Sequence, residues 1–174
     1  MRVHILGGGG GPRDLGSAVD DMEAIDPDSV ELPGPVLELE RGKPVRITVV
    51  NHLDEPTGVH WHGMEIESFP DGVPGFSGIG TRIMPPVAPA DSFVAEFTPP
   101  RSGTFPYHSH LHELRQIGSG MYGALLVVDA PRDTTRDHVI VAGGSGVPTH
   151  RDGLSFLAVN GRMTPRPITM TVGD

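Results

Sequence analysis

The chain has 174 residues, with 24 Gly, 18 Pro, 5% aromatic residues and no Cys. A domain of this size can bury roughly 70% of its unfolded surface, and the absence of Cys excludes disulfides, thiolate zinc sites, iron–sulfur clusters and a thiolate nucleophile while leaving the redox compartment open. Thirteen Lys and Arg against 22 Asp and Glu give a formal net charge of -9, the wrong sign for a phosphate backbone or an anionic bilayer, so neither nucleic acid nor a membrane is expected as a partner.

The opening sixteen residues, MRVHILGGGGGPRDLG, carry too short an apolar stretch for a signal peptide. Residues 1–30, with Gly7 to Gly11 and the acids Asp20, Asp21, Glu23, Asp26 and Asp28, offer little to bury and read as a flexible lead-in. From Val36 the texture changes. Val36–Glu40 and Val45–Val50 are partly alternating runs around the turn Arg41-Gly42-Lys43-Pro44, which predicts strand, turn, strand. Further strands are predicted at Gly58–His62, Ser92–Thr98, Thr104–His110, Met121–Val128, His138–Ala142, Phe156–Val159 and Ile168–Val172, with one helical turn available in Leu111–Ile117. The longest apolar run, Ala124–Val128, is strand-sized and far below the ~18 residues that cross a bilayer. Many short strands punctuated by Gly and Pro predict an all-β sandwich or barrel over residues 31–145. At the end, Ile168-x-Met170-x-Val172-Gly173 echoes Leu37-x-Leu39-x-Arg41-Gly42, so residues 146–174 read as a linker and the first strand of a following, truncated domain.

Nine His occur, and five of them fall in His60-Trp61-His62-Gly63 and Tyr107-His108-Ser109-His110-Leu111-His112-Glu113. Residues two apart in a strand share a face, so His60 faces the same way as His62, and His108 the same way as His110. Two such pairs on neighbouring strands would gather four imidazoles. Such a group needs a metal, because protonation would place like charges side by side. An imidazole set without thiolate or a nearby Asp ligand leans towards copper or zinc. His112 is read as a supporting or surface residue beyond the strand's end, and His4, His52, His138 and His150 stand alone.

In order, His60-Trp61-His62-Gly63, Asp71-Gly72-Val73-Pro74, Gly103-Thr104-Phe105-Pro106-Tyr107-His108-Ser109-His110 and Gly120-Met121-Tyr122-Gly123-Ala124-Leu125-Leu126-Val127-Val128 resemble the first two histidine motifs of the multicopper oxidases, the laccase-like enzymes. The resemblance runs from about Leu32 to the C-terminus. It implies a cupredoxin-like Greek-key β-sandwich and a copper cofactor. By position it implies that His60 ligates a type 2 copper, and that His62, His108 and His110 ligate a type 3 pair, within a trinuclear site that reduces dioxygen to water. It also implies that Asp71 stands beside the cluster and serves proton delivery, although Asp-Gly followed by Val-Pro is a turn signal by itself.

The family's third and fourth histidine motifs are missing, and without Cys no type 1 copper of the usual kind can form in this chain. The chain therefore carries half of the trinuclear ligands, the rest coming from a second cupredoxin domain or another subunit, and alone it should not turn over phenols. Periplasmic or secreted localisation is implied by the resemblance only. The rival reading is a non-enzymatic copper-binding module, gathered as a homo-oligomer by the same four His. A cupin-type ligand set, His60, His62 and Glu67, leaves the second pair unexplained. Gly118-x-Gly120-x-x-Gly123 precedes a strand and opens no helix, which removes the dinucleotide reading. Ser109 turns away from both flanking imidazoles, which removes a hydrolase reading, and alternation likewise sends Trp61 to the core.

Overall fold

The computed structural model describes residues 2–6, 17–18, 33–145, 156–162 and 164–169. Its strands in chain order are β1 (Arg2–Leu6), β2 (Ser17–Ala18), β3 (Gly34–Glu40), β4 (Val45–His52), β5 (Val59–Trp61), β6 (Gly78–Ile79), β7 (Arg82–Ile83), β8 (Ser92–Phe97), β9 (Gly103–Ser109), β10 (Tyr122–Val128), β11 (Ala142–Ser145) and β12 (Phe156–Val159). The helix α1 (Glu113–Gly118) joins β9 to β10, and a 3-10 turn spans Phe69–Asp71.

Two four-stranded sheets face each other, ordered β2-β1-β4-β8 and β3-β10-β9-β5. Successive strands β3, β4, β5, β8 and β9 alternate between the sheets, and β3 lies parallel to β10. The result is the all-β Greek-key sandwich that the resemblance implies. Alternation builds it: in β3, Leu37 and Leu39 are buried while Glu38 and Glu40 are exposed, and in β9, Phe105 and Tyr107 are buried while Thr104 and Pro106 are exposed. The inward residues of both sheets, among them Ile47, Val49, Trp61, Ala95, Phe97, Tyr107, Leu125 and Val127, form one core. Each large side chain buried there contributes about 1.5–3 kcal/mol of transfer free energy.

Several segments depart from the sequence expectation, Ser17–Ala18 of β2 and the paired strands β6 and β7 among them. Arg2–Leu6, inside the stretch read as a flexible lead-in, is a strand pairing in parallel with β4, from Arg2 opposite Thr48 to Leu6 opposite His52. Its five-residue length next to a glycine run hid the signal. His138–Ala142 is not a strand; pairing begins at Ala142, against Val159. The reason is Asn160, whose side chain donates to the Val139 carbonyl at 3.0 Å and accepts from the Val141 amide at 2.7 Å, taking the place of a neighbouring strand. Ile168 and Thr169 lie outside any strand, and the remainder of the expected Ile168–Val172 strand, with its echo of Leu37–Gly42, lies outside the described residues.

Candidate metal centre

The centre forms where β5 pairs with β9. The register sets His60 opposite His108 and Trp61 opposite Tyr107. Strand alternation sends the aromatic pair inward, with ring centroids 6.3 Å apart, and the imidazole pair outward, 5.4 Å apart. The pairing continues past the strand ends: the His62 amide donates to the Pro106 carbonyl and the His110 amide to the Gly58 carbonyl, both at 3.0 Å. His62 and His110 therefore flank the central pair on the same face, each with its ring centroid within 5.4 Å of that of His60.

Three of these residues, His60, His62 and His108, each offer a nitrogen such that all three nitrogens lie within 4.8 Å of one another. The closest approach is His62 Nδ1 to His108 Nε2, at 3.1 Å. Two nitrogens at that spacing subtend roughly 100° at an ion bonded to both at ~2.0–2.1 Å, an ordinary angle for an imidazole site. The donor set, imidazole alone, suits copper or zinc.

Behind the rings, protein acceptors hold Nδ1 of three imidazoles, and of these His108 turns its Nε2 to His62 Nδ1. His60 Nδ1 donates to the Asp71 carbonyl at 3.0 Å, and Asp71 Oδ2 lies 3.3 Å from the same nitrogen. His108 Nδ1 donates to the Ser109 carbonyl at 2.8 Å, and His110 Nδ1 faces Glu113 Oε1 at 3.1 Å. Such partners fix the tautomer and aim of a ligating ring. Burial works against a charged His60, yet the hydrogen bonds and charge of Asp71 outweigh it and hold the His60 pKa above the ordinary value of 6.5. His108 moves the other way: burial lowers its pKa, the Ser109 carbonyl opposes that only in part, and the neighbouring imidazoles add repulsion.

Asp71 reaches His60 because the chain crosses β5 closely. The Trp61 indole donates to the Pro70 carbonyl at 3.0 Å from the core side. The next residue but one, Gly72, has φ of +89°, and a Cβ there would lie 2.8 Å from the Val59 carbonyl carbon and nearer still to its oxygen. Only glycine fits both constraints. Asp71 is thus both the turn residue that its sequence suggests and a carboxylate against His60, and the Ser77 hydroxyl donates to its Oδ2 at 3.4 Å.

His112 is exposed and caps α1 with φ of +51°, outside the convergent group. Ser109 is fully buried and turned from the imidazoles, and Trp61 is a core residue. Sequence reading missed Glu113 as the partner of His110, although the three-residue spacing across a strand end into a helical turn was available as a signal. It also missed Gln116, for which no local pattern exists.

A family profile described as multicopper oxidase matches residues 29–132. Copper resistance protein A of Escherichia coli is 39% identical over 114 residues, covering 63% of this chain and 17% of that protein. Dihydrogeodin oxidase of Aspergillus terreus is 34% identical over 148 residues, covering 80% of this chain and 22% of that protein. Among solved structures, a multi-copper oxidase from Pseudomonas thermotolerans superposes with a TM-score of 0.65 at 28% identity, over 75% of this chain and 34% of that one. The chain spans less than a quarter of the length of these two curated relatives.

Proposed function

Since the chain belongs to the multicopper oxidase family, whose cofactor is copper, we propose that it supplies His60, His62, His108 and His110 to a trinuclear copper site at which dioxygen is reduced to water. The observation that carries this reading is the convergence of His60, His62 and His108 nitrogens within 4.8 Å on one outward face of paired strands. His60 serves the type 2 position; His62, His108 and His110 serve the type 3 pair. When bound, the copper ions supply the one-electron redox chemistry.

The chain's own residues orient and protonate. Asp71 and the Ser109 carbonyl hold the Nδ1 protons of His60 and His108, which leaves Nε2 of each ring as the nitrogen that would take a metal. Asp71, 24% exposed at its side chain, touches His60 and is joined to Ser77, so it can exchange protons with solvent and pass them towards the oxygen being reduced. No Cys is present to form a type 1 centre, so electrons enter from elsewhere. His62 is exposed, which supports completion of the site by groups from a second cupredoxin domain or another subunit.

The test is a Cu(II) titration of the chain, followed by exhaustive dialysis and elemental analysis, with nitrogen coordination read by electron paramagnetic resonance. The wild type is expected to retain copper bound through imidazole nitrogens, and His62→Ala/His108→Ala is expected to lose it. Equal copper content and equal spectra in the two proteins would overturn the proposal.

A further inference from the structure

We propose that Gln116 is a positioning residue of this centre: its buried amide bolts the His108-Ser109-His110 segment to the chain entering His60. The purpose assigned to it rests on the copper-site reading above; the linkage itself rests on the hydrogen bonds.

Gln116 lies on α1, is 1% exposed, and uses its whole hydrogen-bonding capacity. Oε1 accepts from the Thr57 hydroxyl at 2.8 Å and from the Ser109 hydroxyl at 2.5 Å. Nε2 donates to the Pro56 carbonyl at 2.9 Å and to Glu55 Oε1 at 3.2 Å. The Pro56 carbonyl can only accept, which fixes which end of the amide is nitrogen. Thr57 and Ser109, both fully buried, are thus tied to one oxygen atom.

The placement matters because β5 is three residues long and, among the described residues, sits at a sheet edge with β9 as its one neighbour. So short a ladder holds its partner weakly. Thr57 stands three residues before His60, and Ser109 stands between His108 and His110. The amide therefore ties Ser109, the last ladder residue of β9, to Thr57, two residues before Val59, on the side opposite the imidazoles. The same helix carries Glu113, which faces His110. A six-residue helix has marginal stability of its own, so the buried Gln116 side chain also holds Glu113 in place.

The experiment compares the wild-type chain with Gln116→Met, which keeps the bulk and removes the amide, and Thr57→Val, which keeps the shape and deletes one donor. Long-range proton–nitrogen spectra of the metal-free proteins read the ring tautomers of His60, His62, His108 and His110, and Cu(II) titrations read affinity and nitrogen coordination. The expected result is a Cu(II) dissociation constant raised about 10–100-fold, with shifted His108 and His110 ring signals, at a temperature where circular dichroism shows each variant folded. Glu55→Gln/Gln116→Glu, which exchanges the donor and acceptor sides of one contact, is expected to bind Cu(II) more tightly than Gln116→Glu alone.

Folded variants with wild-type ring signals and Cu(II) spectra would overturn the inference. If Gln116→Met does not fold, Thr57→Val decides by the same readouts. A wild-type chain that fails to bind Cu(II) would overturn the copper reading, while the ring signals of the metal-free proteins would still decide the positioning role.

Discussion

Replacing Gly72 by Ala tests whether the close crossing of the chain over β5 builds the Asp71 side of the centre. An L-residue forced into the left-handed region costs ~1–2 kcal/mol, and Gly72 has φ of +89°. The added Cβ must also displace the Val59 carbonyl, a rigid backbone group in a paired strand, which adds ~1–3 kcal/mol and falls towards the upper end. Gly75 separates the two costs, because its φ is +79° with nothing within 4 Å of a built Cβ. Gly75→Ala is therefore expected to cost only the conformational part, and Gly72→Ala to cost ~1–3 kcal/mol more. Urea unfolding followed by fluorescence measures both, since the chain has one Trp and Trp61 is fully buried beside the turn. Cu(II) affinity is expected to fall in Gly72→Ala, which moves Asp71 from His60, and to persist in Gly75→Ala. Equal destabilisation by the two substitutions, within about 0.5 kcal/mol of each other, would refute the steric argument.

Asp71→Asn removes the carboxylate charge that, together with the Asp71 hydrogen bonds, outweighs burial at His60, so the His60 pKa is expected to fall relative to the wild type in a nuclear magnetic resonance titration of the metal-free chain. The sign of the linked stability follows: a pKa raised by folding stabilises fully below the unfolded value and is lost as pH rises through the folded one. Asp71→Asn should therefore destabilise more at about pH 5.5 than at about pH 8, and a larger loss at the higher pH would contradict the assignment. Trp61→Phe keeps an aromatic ring but leaves the Pro70 carbonyl without its 3.0 Å donor, for an expected loss of ~1–3 kcal/mol in thermal or urea unfolding; an unchanged midpoint would show that the indole contact is idle. The isolated chain is expected to oxidise phenols at background rate after copper loading, since it has no Cys for electron entry. Sustained turnover by a homogeneous sample would refute that role for the missing thiolate.

Period-two patterns in the sequence announce β3, β4, β8 and β9, because one face of each is buried and the other wet. The same period announces the outward pairs His60/His62 and His108/His110, since alternation is a local rule. Contacts set by tertiary crossing leave no such trace. Asp71 meets His60 across eleven residues through a glycine whose need for positive φ appears only in three dimensions. Asn160 acts as a surrogate strand for Val139 and Val141 from some twenty residues away, and so cancels a strand that β-branched content predicts. Gln116 joins residues 59 and 7 positions distant, and a polar residue in a short helical turn gives no hint of burial.

The core and the imidazole face are written into the same few residues. In His60-Trp61-His62 and Tyr107-His108-Ser109, alternate side chains go to the sandwich interior and to the imidazole face, so one register governs both. A slip by one residue would bring imidazoles into the core and Trp61 to solvent. Trp61 packs against Tyr107 and Phe97, with ring centroids 6.3 and 5.9 Å away, and these buried contacts make such a slip costly. They consequently fix His60 opposite His108. The spacing of His62 Nδ1 and His108 Nε2 at 3.1 Å is then a property of core packing, and the convergent donors are expected to persist in the metal-free chain.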